Sequence, residues 1–401
     1  MTDRLEAWLE GHHVGNFEFE PAQPVTFTYD EGAPATPISL SLPRDRPAAK
    51  RAAGNFLENL LPDHAKTRER MAAAYGAVSA RTYDLLLSAG GDIAGGLVLT
   101  PGGEAPSPGP GNLSPADEED IATRIAAIKR DPDDWAPKDL PARFSLAGTQ
   151  GKFALADIDG DWYWSNAGVP STHIVKPARP DLRNLEAAES SALVLARAAG
   201  IAASPAEVAG FIDQTAFVTE RFDRVSEGDV LRRLHAEDLA QALGEGPGRK
   251  YKIQVGAVAE LLRDADATGR LARDFVRQVA FNVLIGNADA HAKNYSLLLR
   301  PDSISLAPLY DAVPVGLYPS FDQKLAMKIG GTVFPQAAHP ALWRKAARAM
   351  ELDEDEVLGI VAGVAQKVGE HNDMAWDALD TAQAKTLREL IRRNVNVALG
   401  E

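Results

Sequence analysis

Asp289 and Asn294 share one short segment, Gly286-Asn287-Ala288-Asp289-Ala290-His291-Ala292-Lys293-Asn294. The spacing D-x-x-x-x-N lets one loop aim a carboxylate and an amide at the same phosphoryl group. The carboxylate would act as base for an acceptor hydroxyl and the amide as a Mg²⁺ ligand. The same residues also suit a helix C-cap followed by a polar turn. Twenty-two residues beyond Asp289 lies Tyr310-Asp311. Asp311 would supply a second metal-binding carboxylate, or it forms a turn ahead of Pro314.

Lys176 ends an apolar strand pattern, His173-Ile174-Val175-Lys176. In the helical pattern that follows, Leu185, Glu189, Ala192 and Ala196 fall on one face. A glutamate on an apolar face needs a partner, because burying a lone charge costs several kcal/mol. Strand lysine and helix glutamate together form a clamp for nucleotide phosphates. The alternative is a lysine snorkelling at a strand end beside a glutamate at the stripe's edge. Upstream, Ser145-Leu146-Ala147-Gly148-Thr149-Gln150-Gly151-Lys152 could cover phosphates with successive backbone N–H groups. It matches neither G-x-G-x-x-G nor Walker A, and an ordinary loose hairpin turn is the competing reading.

These residues need elements to hold them. Leu5 to Leu9 and Val14 to Phe19 read as a hairpin around Gly11-His12-His13, with short strands at Pro24 to Tyr29 and Ile38 to Leu42. Asn55 to Leu61 begins a helix. The proline- and glycine-rich stretch from Pro101 to Pro115, with Pro106, Pro108 and Pro110, marks a subdomain boundary. Ser114-Pro115 then reads as N-cap and first residue of a helix to about Lys129. Residues 143–224 read as a small sheet with one helix, Leu185 to Ala199. Its strands are Phe144 to Leu146, Lys152 to Asp157, His173 to Lys176, Val208 to Ile212 and Ala216 to Glu220, with a turn at Asp159-Gly160. Beyond Asp223 the pattern is mostly helical. Phe275, Val276, Val279, Ala280, Val283 and Leu284 line one buried face. Tyr295 to Leu299 and Ser303 to Ala307 are the strand signals there. The acidic run Asp353 to Glu356 suits a helix start.

Composition narrows the function classes. The chain has 401 residues, 45% hydrophobic and 24% charged, and no cysteine. That excludes disulfides, thiolate nucleophiles and Cys-ligated zinc. Histidines are scattered, with no H-E-x-x-H, and no G-x-S-x-G elbow is present. With 42 basic and 56 acidic residues the net charge is −14, which disfavours autonomous nucleic-acid binding. The first residues lack a signal-peptide pattern, and no apolar run is long enough to span a bilayer. A soluble cytoplasmic protein is expected, with no membrane partner.

Taken in order, these motifs resemble the HipA family, the serine/threonine kinase toxins of bacterial HipBA toxin–antitoxin pairs. The resemblance runs from Leu5 to about Lys328. It includes Leu40-Ser41-Leu42-Pro43, Asn55 to Asp63, Ser145 to Gln150, Thr172 to Lys176, Glu220 to Arg224, Asp289 to Asn294, Tyr310-Asp311 and Lys324 to Met327. It implies an α+β, two-lobed, protein-kinase-like fold. Residues 1–105 would form an extra mixed β/α N-terminal subdomain, 106–222 the kinase N-lobe and 223–401 the helical C-lobe.

By the same resemblance the cofactors are ATP and Mg²⁺. Asp289 would be the catalytic base, and Asn294 and Asp311 the metal ligands. Lys176, supported by Glu189, would hold phosphates under a loop of Ala147, Gly148, Thr149, Gln150, Gly151 and Lys152. Glu220, Arg221 and Phe222 would form the adenine-reading hinge, with His291 and Tyr310 also lining the nucleotide site. Ser145 matches the family's autophosphorylation position, where a phosphate would switch the kinase off. The implied partners are a HipB-like helix-turn-helix antitoxin, operator DNA reached mainly through it, and an aminoacyl-tRNA synthetase substrate, chiefly the glutamate enzyme. Phosphorylating that substrate would halt translation and cause growth arrest or persistence. The family commonly carries Gln-Glu-Lys where this chain has Gln150-Gly151-Lys152, a glycine expected to loosen the loop. The rival readings are a catalytically weak corepressor that acts by binding the antitoxin, and a small-molecule kinase.

Overall fold

The computed structural model describes residues 3–106, 113–138, 142–227 and 230–401. The chain begins with β1 (Asp3–Leu9), β2 (His12–Phe19), β3 (Thr26–Tyr29), α1 (Ala52–Glu58), α2 (Ala65–Tyr75), α3 (Thr82–Ala89) and β4 (Leu97–Pro101). The strands form one antiparallel sheet in the order β3-β2-β1-β4. Alternate residues Leu5, Ala7 and Leu9 of β1 meet Phe56 and Leu57 of α1 and Leu85 and Leu86 of α3 in one apolar core, as a period of two requires. The first turn is Glu10-Gly11, both at positive φ. His13 is therefore a strand residue bonded to Glu6 and Asp30 rather than a turn residue.

Next come α4 (Glu118–Arg130), β5 (Phe153–Ile158), β6 (Asp161–Trp164), β7 (His173–Pro177), α5 (Leu185–Ala198), β8 (Ala206–Phe211) and β9 (Gln214–Glu220). The five strands pair antiparallel in the order β6-β5-β7-β9-β8. Lys176 thus sits on the central strand. Asp159 and Gly160, both at positive φ, make the expected β5–β6 turn.

The remainder is β10 (Arg224–Glu227), β11 (Val230–Arg233), β12 (His235–Asp238), α6 (Leu239–Ala242), α7 (Val255–Ala265), α8 (Arg270–Leu284), β13 (Ser296–Arg300), β14 (Ser303–Leu306), α9 (Pro340–Met350), α10 (Glu354–His371) and α11 (Thr381–Leu399). Helix α8 is the centre of this lobe, with Phe275, Val276, Val279, Ala280, Val283 and Leu284 all buried. The fold is α+β and two-lobed, with the extra N-terminal unit packed against both lobes. Among the described residues no helix is long and apolar enough to cross a membrane.

Several expectations change. Ile38 to Leu42 is not a strand; its polar groups bond to the C-lobe, Leu40 N donating to Glu237 (2.9 Å) and Ser39 Oγ to Gln241 O (3.4 Å). Ser114-Pro115 does not cap α4. Pro115 bridges to Tyr163, and Asp117 is the cap, accepting from Asp120 N at 2.8 Å. Phe144 to Leu146 is not a ladder strand; it is held by Tyr75, whose hydroxyl donates to Phe144 O (3.0 Å). Helices α2 and α3 and strands β4 and β10 to β12 add to the expected elements. The linker prolines Pro108 and Pro110 lie outside the described residues.

One buried network joins the three parts. Arg221 pairs with Asp223 (2.7 Å), and Arg224 pairs with Asp92 of the N-terminal unit (3.1 Å). All four side chains are buried, where breaking one partner is strongly destabilising. Nearby, the Glu237 carboxyl is fully enclosed, with one oxygen lacking a hydrogen-bond partner. Burial pushes its pKa up to about 8 from 4.5. The folded state therefore binds this proton more tightly than the unfolded state. Its stabilising contribution is complete below pH of about 4.5 and is lost as pH rises toward 8. Glu237→Gln is expected to flatten this fall, making the variant more stable than wild type at pH 9 by a few kcal/mol. Urea midpoints at pH 6 and pH 9 check it; identical pH dependences would contradict the buried neutral acid.

Candidate active site

The two lobes and the N-terminal unit enclose a cleft of about 820 Å³, within the size range of small-ligand sites. Lys176 reaches it from β7 and Glu189 from α5. The connection after β14 brings Asp311, because Leu309 pairs in parallel with Ala203 just beyond α5. Lys176 Nζ donates to Glu189 Oε1 at 2.7 Å and to Asp311 Oδ1 at 2.5 Å. Burial works against the ammonium, but Asp311 and Glu189 outweigh it and hold the lysine pKa above its ordinary range. Burial likewise opposes the Asp311 carboxylate, and Lys176 with Lys152 pulls its pKa well below the usual range. Glu189 is pushed up by burial. Asp311 has a positive φ of 55°, which costs roughly 1–2 kcal/mol. Its carbonyl is held by Asn287 Nδ2 (3.2 Å).

Helix α8 stops at Gly286, whose φ of 70° only glycine adopts freely. Asn287 then ties the turn together, its N–H on Asn282 O (2.8 Å) and its amide on Asn282 Oδ1 (2.9 Å). Asp289 is the exposed residue in a buried loop. Its Oδ1 accepts from Tyr251 OH at 2.6 Å, and its carbonyl accepts from Asn294 Nδ2 at 2.9 Å. The Asn294 bond leaves its amide oxygen as the remaining side-chain donor atom. The cleft walls, and Asp311 behind them, push the Asp289 carboxyl up, while the Tyr251 bond opposes this. His291 is buried, its Nδ1 has no partner, and burial lowers its pKa to about 3. Tyr310 stacks on Phe222 with ring centroids 5.2 Å apart, and its hydroxyl donates to Lys293 O at 2.8 Å.

The phosphate-loop candidates are brought to the same cleft, with two exceptions. Ala147, Gly148, Thr149, Gln150 and Lys152 line it, as do Glu220, Arg221 and Phe222. Burial and the nearby Lys176 lower the Lys152 pKa to about 8. Gly151 is the first exception. It faces away, and an added Cβ would lie 2.5 Å from Ile128 Cγ2 and 3.0 Å from Pro132 O. The glycine therefore seats the loop against α4 rather than loosening it. Ser145 is the second. Its side chain is wholly buried, with Oγ donating to Leu60 O at 2.7 Å. Of the hinge residues, Arg221 has its guanidinium committed to Asp223, Ser171 and Ile93 O. The Glu220 N–H already donates to Pro205 O (3.0 Å).

Sequence reasoning assigned no role to Asp63, Lys250, Lys293 and Tyr251. Asp63 accepts from Lys250 Nζ and Lys293 Nζ, both at 2.8 Å. Burial opposes its charge, yet Lys293 and Lys250 pull its pKa down to about 2. Its backbone N–H also donates to Gly148 O at 3.0 Å. Asp63 thus links the 147–152 loop, the 286–294 loop and the segment before α7. The signal was present in Leu60-Leu61-Pro62-Asp63, a polar residue ending an apolar helix pattern.

The donor set fits a nucleotide with a hard cation. Asp311 offers a carboxylate oxygen and Asn294 an amide oxygen, beside the two lysines Lys176 and Lys152. Oxygen donors of this kind suit Mg²⁺, which retains several waters and needs few protein ligands. Fold and cleft together define a two-lobed, kinase-like protein with an N-terminal accessory unit.

The comparisons specify the family. The HipA N-terminal domain model matches residues 5–100, and the HipA-like C-terminal domain model matches residues 144–372. A putative kinase of Sinorhizobium fredii, Y4mE, is 36% identical over 83% of this chain and 82% of its own length. The serine/threonine-protein kinase toxin HipA of Shewanella oneidensis is 30% identical over 84% of this chain and 81% of its own. The solved structure of the Shewanella oneidensis HipA, HipB and operator DNA complex superposes with a TM-score of 0.84 at 26% identity, covering 99% of this chain and 97% of that one. This chain belongs to the HipA family.

Gly151→Ala is expected to unseat the 147–152 loop. The cost is about 1–3 kcal/mol, typical of overpacking, with faster amide exchange over residues 147–152. Thermal denaturation and hydrogen exchange check this; an unchanged variant would contradict the close seat.

Proposed function

We propose that this protein is the toxin of a HipBA-type pair, a Mg²⁺–ATP-dependent serine/threonine protein kinase acting in the cytoplasm. The observation that carries this reading is the Lys176–Glu189–Asp311 cluster facing an exposed Asp289 across one cleft. Bound Mg²⁺–ATP would supply the phosphoryl group and neutralise its charge. Lys176 holds phosphate oxygens, with Glu189 fixing its direction. Asn294 and Asp311 offer the metal ligands. Asp289 takes the acceptor hydroxyl's proton. Phe222 and Tyr310 wall the base, and backbone groups of Ala147 to Lys152 cover the phosphates. His291, neutral at physiological pH, adds an uncharged polar wall beside Asp289.

The implied domain division is 1–105, 106–222 and 223–401. Resemblance to the family supports an aminoacyl-tRNA synthetase as substrate, with the glutamate enzyme first to test. It also supports a HipB-like antitoxin, through which an acidic chain reaches operator DNA. Ser145 would be the self-modification site. Because its Oγ lies buried on Leu60 O, residues 144–148 must leave their seat before it can accept phosphate. Retention of Lys176, Asp289, Asn294 and Asp311 weighs against a purely non-catalytic corepressor.

Asp289→Asn keeps size and removes the base. Transfer of phosphate from ATP to glutamyl-tRNA synthetase, followed by mass spectrometry, is expected to fall by about 10²–10⁴-fold, with ATP affinity largely retained. A folded variant with wild-type transfer would reject the base assignment.

A further inference from the structure

The side chain hydrogen-bonded to the Asp289 carboxylate is one that the kinase reading does not use. Tyr251 follows the short 3-10 turn Pro247–Arg249, ahead of α7. Its hydroxyl donates to Asp289 Oδ1 at 2.6 Å. The side chain is not part of the packed core: Tyr251 is 52% exposed. Its ring stands edge-on to His291 with centroids 5.0 Å apart, and Lys250 Nζ lies 5.2 Å above it. Lys250 is in turn fixed by Asp63.

The segment ahead of Tyr251 is tied down at Gly244, Glu245 and Lys250. Asn55 Nδ2 donates to Gly244 O (2.7 Å) and Asn59 Nδ2 to Glu245 O (2.8 Å), so helix α1 and the residue after it clip this segment to the N-terminal unit. A half-exposed side chain on a clipped backbone can swing about its own torsions without moving the loop.

The chemistry of the contact is that of an acceptor. A serine or threonine that gives its proton to a carboxylate base must place its hydroxyl about 2.6–3.2 Å from that carboxylate. Tyr251 presents an O–H to Asp289 at that distance. Residues on either side of Asp289 are buried, so its carboxylate is approached from the cleft. Tyr251 stands on that approach.

We infer that Tyr251 is a stand-in for the acceptor hydroxyl. It keeps Asp289 hydrogen-bonded until a protein serine or threonine displaces it, and so sets the acceptor concentration at which transfer begins. The inference rests on Asp289 being the base. A hydrogen bond to a charged group is among the stronger ones, and a site occupied by its own side chain binds acceptor more weakly in proportion to the occupied fraction.

The test uses the full chain with Mg²⁺–ATP, comparing wild type with Tyr251→Phe, which keeps the ring and removes the hydroxyl. Dephosphorylated casein serves as a probe rich in accessible serine and threonine, and hydrolysis without casein reports water as acceptor. The expected result is a KM for casein lower by about tenfold, with kcat within about twofold of wild type. Water-directed hydrolysis should rise by a similar factor. A kcat that falls while KM stays fixed would overturn the proposal and make Tyr251 a positioning residue for Asp289. Equal constants in both proteins would also overturn it. Asp289→Asn in each background separates the two readings: full activity there removes the base, and with it the role of Tyr251. No transfer by wild type to casein, water or glutamyl-tRNA synthetase would overturn the kinase reading itself.

Discussion

The Lys176 ammonium is the charge on which the cleft depends. A lysine buried on the central strand of a sheet cannot remain charged without opposing carboxylates. Glu189 and Asp311 supply them from a helix of one lobe and a connecting segment of the other. Satisfying that one group therefore fixes the distance between lobes. It also explains why Asp311 sits at a left-handed φ, a conformation that Asp tolerates better than bulkier residues. The parallel pairing of Leu309 with Ala203 delivers it there.

The N-terminal unit is part of the same construction. Leu60, Asp63, Tyr75 and Asp92 each bond to the segment from Phe144 to Gly148. Asp63 also neutralises Lys250 and Lys293, two cations that would otherwise repel each other at the 286–294 loop. The loop of residues 147–152 is thus supported from the N-terminal side, and its glycine at 151 lets it press onto α4.

Much of this was legible in the residues. Helix α5, the β5–β6 turn and the β13–β14 hairpin follow from apolar period and turn chemistry, which are local. The Lys176–Glu189 pair was legible because a glutamate on an apolar stripe demands a partner. Strand β12 was not, since His235-Ala236-Glu237-Asp238 is polar yet buried; its cover comes from β13, from Gly95 and Gly96, and from residues 38–42, nearly 200 positions away in the chain. The buried seat of Ser145 and the close packing at Gly151 were hidden for the same reason, because the filling atoms come from α4 and the N-terminal unit. Tyr251 lay outside every motif, and only the folded chain places it against Asp289.

The most direct test of the account is a crystal structure with Mg²⁺ and a non-hydrolysable ATP analogue. Triphosphate oxygens are expected at Lys176 beneath residues 147–152. A metal bonded to the Asn294 amide oxygen and the Asp311 carboxylate at about 2.1 Å is expected beside them. Nucleotide bound elsewhere, or a metal held by neither residue, would contradict it.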